Sequence, residues 1–85
     1  MQDFTYQEIF SRLPEKQKEV LIAIGKEKKA IGVTSGKFIK KYKLNTPSSV
    51  QAALKGLLDK NLVLQEQNQY EVSDKLLSVW LLRNY

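Results

Sequence analysis

Thr46-Pro47-Ser48-Ser49-Val50-Gln51-Ala52-Ala53-Leu54-Lys55-Gly56-Leu57-Leu58-Asp59-Lys60-Asn61-Leu62-Val63 is the stretch on which the reading of the fold turns. Thr46 is a good helix N-cap, and Pro47 suits the first helical position, where its missing N–H has no intrahelical partner to lose. Val50, Leu54, Leu57 and Leu58 recur at helical spacing as an apolar stripe, leaving Ser48, Ser49, Gln51, Ala52 and Lys55 outward or sideways. The pattern predicts a helix over 46–60. Just upstream, Leu44 and Asn45 read as a tight break, and Ser35 as the N-cap of a shorter helix over 35–43. That helix carries Phe38, Ile39 and Tyr42 on one side and Lys37, Lys40 and Lys41 on the other. Downstream, 62–73 reads as a hairpin: two short alternating runs flank the polar Gln67, Asn68 and Gln69, with Val63 and Val72 supplying strand propensity.

Working outward, 3–13 predicts a leading helix, with Thr5 and Glu8 as a capping box and Tyr6, Ile9, Phe10 and Leu13 on one face. Pro14 fits the first turn of a second helix, 14–27, which buries Val20, Leu21 and Ile24 and fades at Gly25 to Glu27. Ala30 to Thr34 reads as a loop or short strand. Ser73 or Asp74 caps a last helix over 74–84. No repeat, low-complexity segment or linker interrupts the chain, so 1–85 reads as one domain. Two short helices joined by a tight turn and followed by a hairpin make a winged helix-turn-helix. The expected fold is therefore mainly α with a small β-hairpin, extended by an extra N-terminal helix and a C-terminal helix.

Composition narrows the chemistry. The 85 residues include neither Cys nor His. Thiolate and imidazole metal sites, haem and iron–sulfur ligation, disulfides and the His-dependent nucleophile arrangements are all excluded, so no metal and no cofactor is expected. Val20 to Ile24 and Leu76 to Leu82 are the longest apolar stretches, far short of the roughly 20 residues of a membrane span. The start, MQDFTYQEIF, lacks the basic and apolar parts of a signal peptide, and a cytoplasmic setting is expected. Gly32-Val33-Thr34-Ser35-Gly36-Lys37-Phe38 is no phosphate loop: a real one has four residues between its glycines and Ser or Thr after the Lys, and here Phe38 follows Lys37. Glu66 and Glu71 are paired carboxylates on a hairpin with no sign of a pocket, so no catalytic residue is assigned.

The 46–63 stretch resembles the recognition helix and first wing strand of winged-helix transcription factors, including the multiple-antibiotic-resistance regulator type. A longer likeness covers nearly the whole chain. Leu13-Pro14-Glu15-Lys16-Gln17-Lys18-Glu19-Val20-Leu21, Gly32 to Phe38, Ser48 to Leu54 and Tyr70-Glu71-Val72-Ser73-Asp74-Lys75-Leu76-Leu77-Ser78-Val79-Trp80-Leu81 are similar to the carboxy-terminal winged-helix domain of a prokaryotic family of AAA-like ATPases. The closing Asp-Lys-x-x-x-x-Trp-Leu is the most telling part. The resemblance implies an excised domain or a stand-alone relative, with any ATPase activity in a preceding nucleotide-binding domain.

Charge placement points to duplex DNA as a partner. Residues 26–55 hold eight lysines against one acid, Glu27, in a chain of net charge +5, so the remainder is slightly acidic. A basic face around the helix pair is what phosphate contact requires. Lys37, Lys40, Lys41 and Lys43 are the candidate backbone contacts, and Ser48, Ser49, Gln51, Ala52 and Lys55 the candidate reading face. Gln51 suits adenine, and Lys55 suits guanine or a phosphate. Against this, the tip of the wing carries no Lys or Arg, and Glu66 and Glu71 repel phosphate. The reading helix has no Arg for bidentate guanine contact either. The other reading is a docking module that binds protein and not DNA. Leu76, Leu77, Trp80 and Leu81 make one stripe on the last helix, while Val79, Leu82 and Tyr85 lie to its other side. Val79, Trp80, Leu82 and Tyr85 are the candidate contact for a second copy or a parent ATPase domain, unless the leading helix covers that side through Tyr6, Ile9 and Phe10.

Overall fold

The computed structural model describes residues 2–85, with side chains from Tyr6 onward. Along the chain run α1 (Gln2–Ser11), α2 (Glu15–Glu27), β1 (Ala30–Ile31), α3 (Gly36–Tyr42), α4 (Pro47–Asp59), β2 (Val63–Glu66), β3 (Gln69–Val72) and α5 (Lys75–Asn84). Helix α2 is central, packed against α4, α5 and β3. Its Val20, Leu21, Ala23 and Ile24 are buried with Val50, Leu54 and Leu57 of α4 and Leu77, Trp80 and Leu81 of α5. Two glycines permit these close approaches. At Gly25 an added Cβ would lie 3.3 Å from Leu81 Cδ1, and at Gly56 it would run into the Gln17 amide.

Local chemistry starts three of the helices. The Phe38 N–H donates to Ser35 Oγ at 3.2 Å, opening α3. At α4, the Ser49 N–H donates to Thr46 Oγ1 at 3.3 Å, with Pro47 in the first turn. At α5, Asp74 is the cap, its Oδ1 accepting from the Leu76 N–H at 2.9 Å. Pro14 sits one residue earlier than the first-turn position expected from the sequence, as the N-cap residue of α2, and makes no side-chain cap. Helix α1 already starts at Gln2, so Thr5 lies within it and not at a cap; the Thr5 side chain is outside the described residues.

Helices α3 and α4 end the same way. The Leu44 N–H donates to the Ile39 carbonyl at 2.9 Å and the Lys43 N–H to the Lys40 carbonyl at 3.4 Å, with Lys43 left-handed at φ 55°. After α4, the Leu62 N–H reaches the Leu57 carbonyl and the Asn61 N–H the Leu58 carbonyl, both at 3.0 Å, with Asn61 at φ 61°. Each is a Schellman motif whose apolar residue turns inward. Leu44 is completely buried and Leu62 packs on the core, so the tight turn between α3 and α4 is fixed from inside.

The hairpin is part of a larger sheet. Strands β2 and β3 pair antiparallel from Val63↔Val72 to Glu66↔Gln69, and β1 adds to the free edge of β3 with Ala30↔Tyr70 and Ile31↔Gln69. The order is β1-β3-β2. Lys28, at φ 66°, turns the chain after α2 and brings Ala30, fully buried, against the sheet. Two positions in the expected apolar stripes face out instead: Ile9 is 39% exposed and Leu76 56%. Asp74 Oδ2 also accepts from the Tyr6 hydroxyl at 3.1 Å, which ties α1 to the start of α5, and the inward face of α5 is Leu77, Trp80 and Leu81. No described helix is long and apolar enough to cross a membrane.

Candidate nucleic-acid interface

Helix α3 presents its lysines as the sequence spacing requires. Phe38 and Ile39 are buried under it, while Lys37, Lys40 and Lys41 are exposed and Lys43 follows at its cap. The four differ in electrostatics. Lys41 Nζ lies 2.9 Å from Glu27 Oε2, and the same carboxylate oxygen accepts a hydrogen bond from the Tyr42 hydroxyl. Hydrogen bonds from Lys41 and then Tyr42 hold Glu27 below the ordinary carboxylate range, and Glu27 in turn raises Lys41. Burial, followed by the hydrogen bond to Glu27, raises Tyr42. The lone acid of the basic segment is therefore spent on Lys41. That pairing gives Lys41, whose side chain stays 61% exposed, an acidic partner, while Lys37, Lys40 and Lys43 make no ion pair among the described residues.

On α4, Ser48, Gln51, Ala52 and Lys55 lie on the exposed face at i, i+3, i+4 and i+7. Ser49 does not join them. Half-buried, it donates from Oγ to the Thr46 carbonyl at 2.9 Å and accepts from Thr46 Oγ1 at 3.1 Å, so its hydroxyl is consumed in the cap. The Gly32 to Phe38 run also takes a local role: Val33 is buried and Ser35 caps α3.

The reading face continues into a groove that sequence spacing did not disclose. Gln51, Leu54, Lys55 and Leu58 of α4 form one wall, and the Ile31 to Thr34 segment with Asn68 and Tyr70 the other, around about 440 Å³. Thr34, Asn68 and Tyr70 come to this place only because β1 pairs with β3. Two-residue strands leave no periodic trace, so the sequence goes no further than a loop or short strand over Ala30 to Thr34. The tip of the wing, Glu66 to Gln69, is exposed and carries no basic residue.

A helix pair locked by a buried turn and followed by a hairpin is the arrangement expected from the sequence, and β1 adds a third strand to it. A family model described as "Probable winged helix domain" matches residues 4–83. The chain belongs to this probable winged helix domain family. No curated protein and no solved structure matches the chain significantly. In this winged helix domain α3 and α4 are the helix-turn-helix pair and β2–β3 the hairpin that follows it.

The carboxy-terminal helix departs from expectation at one candidate. Trp80 is only 6% exposed and is surrounded by rings, with centroids of Phe10 at 5.7 Å, Tyr85 at 5.9 Å and Tyr6 at 6.4 Å. The leading helix thus covers that side of α5, and Trp80 leaves the candidate contact set. Tyr85, although half exposed, packs on Phe10 at 5.1 Å and closes the same cluster. Val79 and Leu82 remain open at 53% and 46%, joined by Leu76.

Proposed function

We propose that this winged helix domain is a non-catalytic DNA-binding module that contacts duplex DNA through α3 and α4. On this reading it is the carboxy-terminal module of an AAA-like ATPase, or a stand-alone relative, working in the prokaryotic cytoplasm. The observation that carries the reading is the trio Lys37, Lys40 and Lys43: exposed, without acidic partners among the described residues, and set on the helix before the recognition helix. Such cations hold phosphates and release counterions, while Ser48, Gln51, Ala52 and Lys55 meet base edges or backbone. The acidic wing adds nothing to phosphate binding, so the helices provide the contact and strong sequence discrimination is not expected of the isolated domain.

Fluorescence anisotropy of a labelled duplex at low and moderate salt tests this. The wild type binds at low salt and weakens as salt rises. In the triple variant Lys37→Glu, Lys40→Glu, Lys43→Glu, affinity falls by at least an order of magnitude, and the salt slope shrinks by about 0.9 for each phosphate no longer neutralised. No binding at low salt, or equal binding by the variant, removes the proposal.

A second reading rests on a different observation, the exposed Leu76, Val79 and Leu82 of α5. On it, the domain docks on a second copy or on the parent ATPase domain. Analytical sedimentation over a range of concentrations separates the two: a monomer throughout counts against self-association.

A further inference from the structure

Of the seven large apolar side chains exposed among the described residues, five lie on two faces. The first is the outer face of the sheet. Cross-strand partners share a face, so Glu66, Gln69 and Ile31 form one row across β2, β3 and β1, and Leu64 and Glu71 form the next. Val63 and Val72 turn to the core, which leaves Ile31 at 61% and Leu64 at 51% exposure beside two carboxylates. The second face belongs to α5. At roughly 100° per residue, Lys75 and Arg83 fall within the same exposed arc as Leu76, Val79 and Leu82. Helix α5 contains no acid, and Asp74 before it is engaged by the Leu76 N–H and the Tyr6 hydroxyl. Glu66, Glu71, Lys75 and Arg83 make no ion pair among the described residues.

One face is apolar and acidic, the other apolar and basic. We infer that they bind each other between copies of the chain: α5 of one copy lies on the outer sheet face of another, with Leu76, Val79 and Leu82 against Ile31 and Leu64, and Lys75 and Arg83 against Glu66 and Glu71. The inference rests on the self-association reading above and gives it a partner surface; it does not depend on DNA binding. Charge complementarity selects this pairing. Two α5 faces brought together would oppose Lys75 and Arg83 to their own kind, and two sheet faces would do the same with Glu66 and Glu71. Helix α3 offers cations to the hairpin as well, but its Phe38 and Ile39 are buried, so it has no apolar surface with which to cover Ile31 and Leu64. Few apolar side chains are involved, so the contact belongs with weak, transient interfaces.

Sedimentation equilibrium of the full chain, from micromolar to millimolar concentration, is the test. The average mass of the wild type rises with concentration, and rises less at high salt. The double variant Glu66→Lys, Glu71→Lys and the double variant Lys75→Glu, Arg83→Glu each raise the dissociation constant at least about tenfold, because attractive contacts become like-charge ones. An equimolar mixture of the two recovers association. So does the chain carrying all four changes, whose net charge equals that of the wild type. None of the four residues belongs to the core, and unchanged Trp80 emission reports an intact fold in every variant. A wild type that stays monomeric throughout overturns the inference together with the self-association reading. Association of Glu66→Lys, Glu71→Lys as tight as that of the wild type overturns the inference alone and leaves self-association through α5 standing. Loss in only the sheet-face variant, or no recovery in either the mixture or the fourfold variant, overturns the pairing of these two faces.

Discussion

At the scale of single residues, Lys43 carries two conflicting demands. It occupies the left-handed position after α3, at φ 55°, where glycine is the usual residue and a side chain costs about 1 kcal/mol. Lys43→Gly is therefore expected to raise stability by roughly 0.5–1 kcal/mol while it weakens duplex binding, as urea unfolding and anisotropy on the same variant will show. Nothing in the sequence discloses this backbone state, because Lys gives no turn signal, whereas Asn61 at the matching place after α4 does. Glu27 gives a second residue-level expectation. Its pKa is lowered in the folded state, so the unfolded chain binds its proton first. The stabilisation is then full above the ordinary value of 4.5 and is lost as pH falls through the lower folded value. Because solvent screens the pair, its contribution is small. Glu27→Gln should lower the urea midpoint slightly near neutrality, and the gap from wild type should close well below pH 4.5, as parallel unfolding curves will measure. Ser49 shows the limit of spacing arguments: its place in the sequence reads as outward, yet a hydroxyl so close to the helix start bonds the local backbone instead.

Elements were legible where their signals are local. Ser35, Thr46 and Asp74 announce α3, α4 and α5 because a capping oxygen needs only the N–H two or three residues on. Strand β1 was legible only as the loop or short strand of Ala30 to Thr34, since its two residues are held by a partner some forty positions away, and no local preference selects that pairing. The inward face of α5 was legible at Leu77, Trp80 and Leu81 but not at Leu76, because four leucines and Trp80 leave the edge of the stripe open. Asp74 holds one helix start and one helix–helix contact. Asp74→Ala is expected to cost about 1–2 kcal/mol through removal of the cap, with Tyr6 deprived of its acceptor as well. Asp74→Asn keeps a side-chain oxygen for the Leu76 N–H and should cost a few tenths. Denaturant midpoints of the two variants give the comparison, and Trp80 fluorescence should move to longer wavelength only where α1 loosens.

At the scale of the whole molecule, the two faces of α5 have different fates. One is closed by the chain itself: α1 lays Tyr6 and Phe10 on Trp80, and Tyr85 returns to complete the aromatic cluster. The other carries Leu76, Val79 and Leu82, which the fold leaves in water at 46–56% exposure. Composition alone shows an apolar helix. Only the placement of α1 tells which half of it the domain needs for its own stability. Replacing Leu76, Val79 and Leu82 together with Gln removes apolar surface that folding does not bury, and it leaves Leu77, Trp80, Leu81 and the Asp74 cap untouched. Each change should therefore shift stability by no more than about 0.5 kcal/mol, and the emission maximum of Trp80 should stay where it is. By contrast Phe10→Ala opens a cavity beside Trp80 and should cost about 3 kcal/mol or more. Thermal unfolding of the two variants, followed by Trp80 emission, sets the self-sealed face against the open one. A triple variant destabilised as severely as Phe10→Ala would show that the outer leucines belong to the core after all.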